Sequence, residues 1–338
     1  MKIKILFTLL CVLCTTGCPA EKEVSFMGRT MGTVYSIKII TGQFEGLDGL
    51  KQEIDDRLDE INRSMSVYVK DSEISLFNQS PPRKPLAVSD DFLAVIKTAE
   101  KLYLQTEGSW DGTVGPLVDL WGFGTAGRNQ KIPPGKEIER LLRETGFDKI
   151  ELIENKYLSK KNAAISLDLG SIAKGYGVDQ IAKLIKGKGI KNYLVEIGGE
   201  VYAEGYRKDG GKWRIGINKP EKGAPFDQIY KIISLRNKAM ATSGDYRNFF
   251  EKDGKTYSHV IDPRTGYPVS NQVVSVTIVA NSCTYADGLA TAVMVMGAQK
   301  GIELINRLDN IEGLIIVMGN DGRLTDHLSK GFDSATGL

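Results

Sequence analysis

The sequence predicts an α+β fold in one domain, with a helical N-terminal part and a strand-rich remainder. Three observations predict it. Apolar residues between positions 47 and 104 recur every three or four residues, the spacing of amphipathic helices. From about residue 150 strand-like runs dominate, and helices interrupt them without regular alternation, which argues against a doubly wound sheet. No internal repeat or low-complexity stretch divides the 338 residues, and a composition of 41% hydrophobic and 25% charged residues permits a sizeable core.

Residues 1–17 stand apart from that domain. Lys2 and Lys4 precede an apolar run from Ile5 to Leu13, too short to cross a bilayer but suited to a signal-peptide core. Cys14-Thr15-Thr16-Gly17-Cys18 follows. Gly17 before Cys18 fits a lipoprotein cleavage site that makes Cys18 the acylated N-terminus, although Thr15 stands where such sites usually carry leucine. A plain secretory peptide is the alternative. The chain therefore reads as a signal peptide (1–17), a lipidated tether (18–24) and one functional domain (25–338), exported and held on the periplasmic side of the inner membrane. No later apolar run is long enough to span a membrane. Loss of Lys2 and Lys4 brings the basic residues from 44 to 42, equal to the 42 acidic ones, so no basic excess points to nucleic acid. Of the cysteines at 11, 14, 18 and 283, cleavage leaves Cys18 and Cys283, and acylation of Cys18 leaves Cys283 without an intrachain partner.

Within the domain, Thr33 to Ile40 alternates as a strand. Leu47, Leu50, Ile54, Leu58, Ile61 and Met65 mark one helix, and Val95, Ile96, Ala99 and Leu102 the face of a second from about Phe92 to Leu104. Residues 125–136, with Gly, Pro and charge, read as an exposed loop, and Gly135 to Thr145 as a short helix. Strands are expected near 164–168, 193–203, 212–218, 229–235 and 272–280, and helices at about 171–188 and 283–298, with a further helix to about 308. Gly313 to Met318 reads as the final core strand.

Four segments carry polar or glycine-rich patterns. Gly122-Phe123-Gly124-Thr125-Ala126-Gly127 matches G-x-G-x-x-G, but a dinucleotide site needs a strand before it and a helix opening at its end. Arg128 to Pro134 cannot start that helix, so the segment reads as a turn. Around Asp168-Leu169-Gly170-Ser171-Ile172-Ala173-Lys174, a strand passes into a helix whose first amides, with Lys174, could hold phosphate; a routine strand-to-helix junction has the same pattern. Ala241 to Asn248 and Tyr257 to Pro268 are dense in polar groups and joined by a turn at Asp253-Gly254. They contain His259, one of two histidines, beside Ser258, Asp262 and Arg264; His327 lies in a polar tail. Asp287 and Thr291, four apart, share one helix face among apolar neighbours. That pair suits a hard cation such as Mg²⁺, or equally helix capping with a hydroxyl bonded back to the chain.

Taken together these segments resemble the ApbE flavin transferases. The resemblance runs from Met31-Gly32-Thr33 to Gly297 and includes Ser66-Val67-Tyr68, Ser72 to Asn78, Asp111 to Leu117 and Trp121 to Gly124, followed in order by the segments around 168, 198, 242, 259 and 287. It implies an enzyme that splits FAD with Mg²⁺, places FMN through its phosphate on a threonine of another protein, and releases AMP. It implies that Met31, Tyr68, Ser109, Trp110, Asp111, Gly170, Tyr176 and Ile261 touch FAD. Asp287 and Thr291 would ligate Mg²⁺ through side chains and Ala173 through its carbonyl. Trp110 replaces the family's usual phenylalanine, keeping an aromatic ring. The implied acceptors are subunits of membrane electron-transfer complexes.

The acceptor threonine needs its proton removed, and His259, with an unperturbed imidazole pKa of about 6.5, is the base available near neutrality. In the family, tyrosine at the position of Tyr68 goes with transfer, and a small polar residue with hydrolysis. Two other functions remain open: an FAD pyrophosphatase that passes the phosphate to water, and a non-enzymatic flavin-binding lipoprotein, which would need neither metal nor base.

Overall fold

A computed structural model describes residues 21–42, 47–124, 131–221, 223, 225, 228–245 and 248–337. The expected signal peptide, Cys18 and positions 125–130 of the expected loop lie outside the described residues.

The first described element is a hairpin of β1 (Lys22–Thr30) and β2 (Thr33–Thr41). Met31 and Gly32 turn it with φ of 48° and 71°, the left-handed pair whose twist matches a two-residue hairpin loop. Residues 22–24, expected as tether, thus begin an edge strand. Helix α1 (Leu50–Met65) buries Leu50, Ile54, Leu58 and Ile61, the face that its periodicity marks. Helix α2 (Glu73–Gln79) is capped by Ser72, whose Oγ accepts the Ser75 amide. After the short strand β3 (Leu86–Ala87), Ser89 caps α3 (Asp90–Gln105) in the same way, with Asp90 and Asp91 in its first turn. Then follow α4 (Gly115–Leu120) and α5 (Gly135–Glu144), and β4 (Ile150–Ile153) and β5 (Tyr157–Lys160), which join β3 in a small sheet.

The strand expected at 164–168 does not form. There the Asn78 side chain takes a strand's place: its Oδ1 accepts the Leu167 amide at 2.7 Å and its Nδ2 donates to the Leu167 carbonyl at 2.9 Å. The segment leads into α6 (Ala173–Gly187). The strand expected over 193–203 is two, β6 (Tyr193–Ile197) and β7 (Glu200–Glu204), reversed at Gly198 and Gly199 with φ of 62° and 102°. A ribbon of β8 (Trp213–Asn218) and β9 (Ile229–Leu235) precedes β10 (Lys238–Gly244). The hairpin β11 (Phe249–Lys252) and β12 (Lys255–Ser258) turns at Asp253-Gly254, as expected. The chain continues through β13 (Val273–Ala280), α7 (Cys283–Met296), α8 (Ala298–Ile305) and β14 (Glu312–Met318). It ends with β15 (Leu324–Leu328), which pairs with β14 and contains His327, and α9 (Phe332–Thr336). The strand at 313–318 is therefore core, as expected, but not the last.

Among the described residues the main sheet has eight strands in the order β1-β2-β6-β7-β10-β13-β14-β15, each antiparallel to its neighbour. This is the α+β architecture that the sequence predicts. On one face α6 and α7 pack on the sheet, with α1 and α3 outside them. On the other face the β8–β9 ribbon and α9 cover Val201, Met240, Val279 and Leu314. Helix α7 is buried on nearly every side, so it is apolar almost all round. Its polar residues Asp287 and Thr284 are conspicuous for that reason. Among the described residues no helix is long and apolar enough to cross a membrane.

Candidate active site

The start of α6 meets α7 at very short range. A Cβ on Gly175 would lie 2.3 Å from the Cys283 carbonyl oxygen, so glycine is needed there for close approach. Asp179, one turn further along α6, caps α7: it accepts from the Cys283 amide at 2.8 Å, the Thr284 amide at 3.0 Å and the Ser282 and Thr284 hydroxyls. This junction fixes Asp287, whose side chain is almost wholly buried. Its Oδ2 accepts the Gly175 amide at 3.0 Å, and its Oδ1 lies 3.8 Å from the Lys174 ammonium.

Lys174 donates at 2.5 Å to Oε1 of Glu200, the residue after the Gly198-Gly199 reversal. Oε2 of Glu200 is buried and has no hydrogen-bond partner among the described residues. Burial raises both carboxyls, and with the charge of Asp287 nearby pushes Glu200 up to about 8. Burial acts to lower the Lys174 ammonium, but the carboxylates of Asp287 and Glu200 outweigh it and hold it above its ordinary value. Thr291, one turn beyond Asp287, has its hydroxyl 3.0 Å from that of Ser243 on β10.

These groups line a cavity of about 470 Å³ that also holds His259, Ile261, Gly170 and Phe123. The Nδ1 of His259 lies 2.9 Å from the Asn248 carbonyl oxygen. An oxygen there can only accept, so Nδ1 carries the proton and Nε2 keeps its lone pair. Burial pushes the imidazole below its ordinary value, against the opposing effect of the Asn248 bond. The ring meets Phe123 edge-on at 6.3 Å. A groove of about 280 Å³ adjoins the cavity, sharing Val118, Phe123 and Asp168, with Tyr68 at its side, 80% exposed.

The structure thus brings His259, Asp287, Thr291, Gly170 and Ile261 to one cavity and Tyr68 to the groove beside it. Ala173 opens α6, two residues before the Gly175 amide that touches Asp287. The other expected FAD contacts lie in the surrounding packing. Met31 leans on Gly177 of α6. Ser109 is buried with no hydrogen-bond partner for its hydroxyl among the described residues. Trp110 is buried against Phe147, and its Nε1 donates at 3.0 Å to Ser171, which lines the cavity. The Asp111 carboxylate is engaged by the Thr113 amide and hydroxyl and the Phe147 amide. Tyr176 donates at 2.5 Å to Asp91, which Arg57 grips with both guanidinium nitrogens at 2.6 Å.

The expected phosphate cradle at 170–173 is corrected in one respect. The amides of Gly170, Ile172 and Ala173 already donate to Asp168 Oδ1 and the Leu169 carbonyl, because the turn into α6 satisfies itself. Lys174 is then the cationic group this segment offers to the cavity. The described part of the G-x-G-x-x-G segment, Gly122 to Gly124, follows helix α4 rather than a strand. A side chain on Gly124 would collide with Asp119. Glu200 and Ser243 are the residues sequence reasoning missed; the Gly198-Gly199 pair before Glu200 was the signal of a reversal there.

The oxygen donors of Asp287, Thr291 and Ala173 fit a hard cation, and the unpartnered Glu200 Oε2 shows more acceptor capacity than the chain's own donors fill. Among the described residues no group of three His, Cys, Asp or Glu side chains is placed to hold a metal unaided. A cation here would rely on hydroxyl, main-chain and substrate oxygens.

The profile described as "ApbE family" matches residues 31–315. The FAD:protein FMN transferase of Vibrio cholerae serotype O1 is 47% identical over 334 residues, 97% of each chain. That of Haemophilus influenzae is 40% identical over 320 residues, 93% of this chain and 92% of its own. Among solved structures, the flavin transferase ApbE of Vibrio cholerae superposes with a TM-score of 0.84 at 44% identity, covering 93% of this chain and 99% of that one. The apo flavinyl transferase ApbE of Pseudomonas stutzeri gives 0.84 at 36% identity, covering 94% and 98%.

Proposed function

The chain belongs to the ApbE family, and from that premise we propose that it is an FAD:protein FMN transferase acting on a threonine hydroxyl and releasing AMP. The observation that carries the proposal is the convergence on one cavity of a neutral, oriented imidazole, the buried carboxylate of Asp287 and the half-buried hydroxyl of Thr291. Storage of a flavin needs neither.

Asp287, Thr291 and the Ala173 carbonyl would hold Mg²⁺ beside the diphosphate of FAD. A cation held by these groups would supply charge neutralisation to the diphosphate. His259 Nε2 takes the proton from the acceptor threonine, whose oxygen bonds to the FMN phosphorus while the bond to the AMP phosphate breaks. Asn248 holds the imidazole in the required tautomer and stabilises the imidazolium that forms. Phe123 and Val118 keep one wall of the cavity apolar, which limits competing water. Export by residues 1–17 and acylation of Cys18 belong to the same proposal and are supported by Lys2, Lys4 and the Ile5 to Leu13 run. They would place the enzyme beside the membrane-bound electron-transfer subunits expected as acceptors.

The test is incubation with FAD, MgCl₂ and a threonine-bearing acceptor protein. Covalent flavin fluorescence in a denaturing gel is the expected result, lost in Asp287→Ala at every Mg²⁺ concentration. Free FMN and AMP without labelling would make the protein a pyrophosphatase, and unchanged FAD a binder.

A further inference from the structure

Lys174 stands between two buried carboxylates, those of Glu200 and Asp287. Its ammonium is 2.5 Å from Glu200 Oε1 but 3.8 Å from Asp287 Oδ1, beyond hydrogen-bond length. Asp287 is therefore anchored through Oδ2 by the Gly175 amide, while Oδ1 faces a positive charge that attracts it without bonding it. Glu200 is buried, and its Oε2 has no hydrogen-bond partner among the described residues. An ammonium has three donors, so Lys174 can leave Asp287 and gain a second contact on Glu200 without losing the first.

We propose that Lys174 is a built-in counter-ion for Asp287, competing with the divalent cation and withdrawing onto Glu200 when that cation binds. The inference rests on the reading of Asp287 as a cation ligand given above. Two carboxylates buried side by side are costly without a cation, and the tethered ammonium offsets that cost before a metal arrives. Glu200 is then a positioning residue. It keeps the ammonium within reach of Asp287 yet off the oxygen that the metal needs. The arrangement sets the affinity for the cation at a level below what the bare carboxylates would give.

The probe is Mn²⁺, a cation that oxygen sites accept in place of Mg²⁺. It is titrated into the full chain without FAD and followed by the electron paramagnetic resonance of the free ion. Lys174→Met is expected to bind Mn²⁺ about tenfold more tightly than wild type, and Lys174→Arg about as wild type, since removing a competing charge at this range is worth about a decade. Glu200→Gln is expected to bind about tenfold more weakly, because the released ammonium turns to Asp287. A purely structural role for Lys174 would weaken binding in Lys174→Met, and unchanged or weaker binding overturns the proposal. Should Lys174→Met fail to fold, Glu200→Gln decides alone: unchanged or tighter binding overturns it. Asp287→Asn separates the two readings. If wild type and Asp287→Asn bind Mn²⁺ alike, the metal assignment itself falls and takes this inference with it. Binding that needs Asp287 but ignores Lys174 overturns only the counter-ion.

Discussion

His259 owes its chemistry to one carbonyl. The Asn248 oxygen 2.9 Å from Nδ1 fixes the proton there, and burial holds the imidazole below its ordinary 6.5. A base with a lowered pKa stays neutral to lower pH, so the acid limb of the transfer rate should lie below pH 6.5, measured as acceptor labelling against pH. The same shift bears on stability. The unfolded imidazole protonates near 6.5 while the folded one resists, so the unfolded state binds more protons in the window just below 6.5 and stability falls there as pH drops. Above that window the term vanishes. His259→Ala should leave FAD binding, read by flavin fluorescence, largely intact and slow transfer by about 10²–10⁴-fold; undiminished labelling would remove His259 from the mechanism. At this scale the sequence was informative where chemistry is local. A histidine among Ser258, Asp262 and Arg264, and an aspartate and hydroxyl four apart on an apolar helix, are visible in one dimension. Glu200 was not, because its meaning comes from a lysine 26 residues away and a chain reversal between them.

The junction of α6 and α7 places Asp287 and Lys174, the two groups on which the proposed cation site depends. Gly175 lets the helices touch, and its amide anchors Asp287. Gly175→Ala would drive a methyl into backbone rather than into a movable side chain, so the helices must part. Overpacking of this kind costs about 1–3 kcal/mol, and here it should also loosen cation binding. Asp179→Ala leaves the Ser282 cap of α7 but removes the acceptor for the Cys283 and Thr284 amides, and should cost about 0.5–2 kcal/mol without touching the cavity directly. Thermal melts and Mn²⁺ titration of the two variants distinguish them: both should melt lower, and Gly175→Ala should lose more cation affinity for an equal loss of stability. A glycine variant with wild-type affinity would show that the close approach is not what positions Asp287. Elements were legible where one face is buried and the other wet, as in α1 and α3. They were obscure where a strand is polar and lies at a sheet edge. β1 has mostly exposed residues, and β15 alternates only weakly. At 164–168 the alternation was real, but an asparagine side chain satisfied the backbone in place of a neighbouring strand.

Across the whole molecule the site lies where the helical N-terminal part meets the sheet. Glu200 comes from β7, Lys174 from α6, Asp287 and Thr291 from α7, His259 from the segment after β12, and Tyr68 from the turn between α1 and α2. Cavity and groove meet at Val118, Phe123 and Asp168, so an extended dinucleotide can run from one into the other while the acceptor approaches from outside. Tyr68, 80% exposed beside the groove, is the residue at which the proposed choice between threonine and water can be tested. A large ring there can cover bound FAD and exclude water, whereas a small polar side chain leaves a wetter opening. Tyr68→Asn should therefore keep cleavage of FAD but divert it. Free FMN should rise, and covalent labelling should fall by about tenfold, a difference of about 1.4 kcal/mol between two competing barriers. Chromatography of FMN and AMP beside gel fluorescence of the acceptor measures both branches in one reaction. Equal loss of both products would mean that Tyr68 serves FAD binding, and an unchanged ratio would move the choice between threonine and water away from this groove, to the apolar wall at Phe123 and Val118.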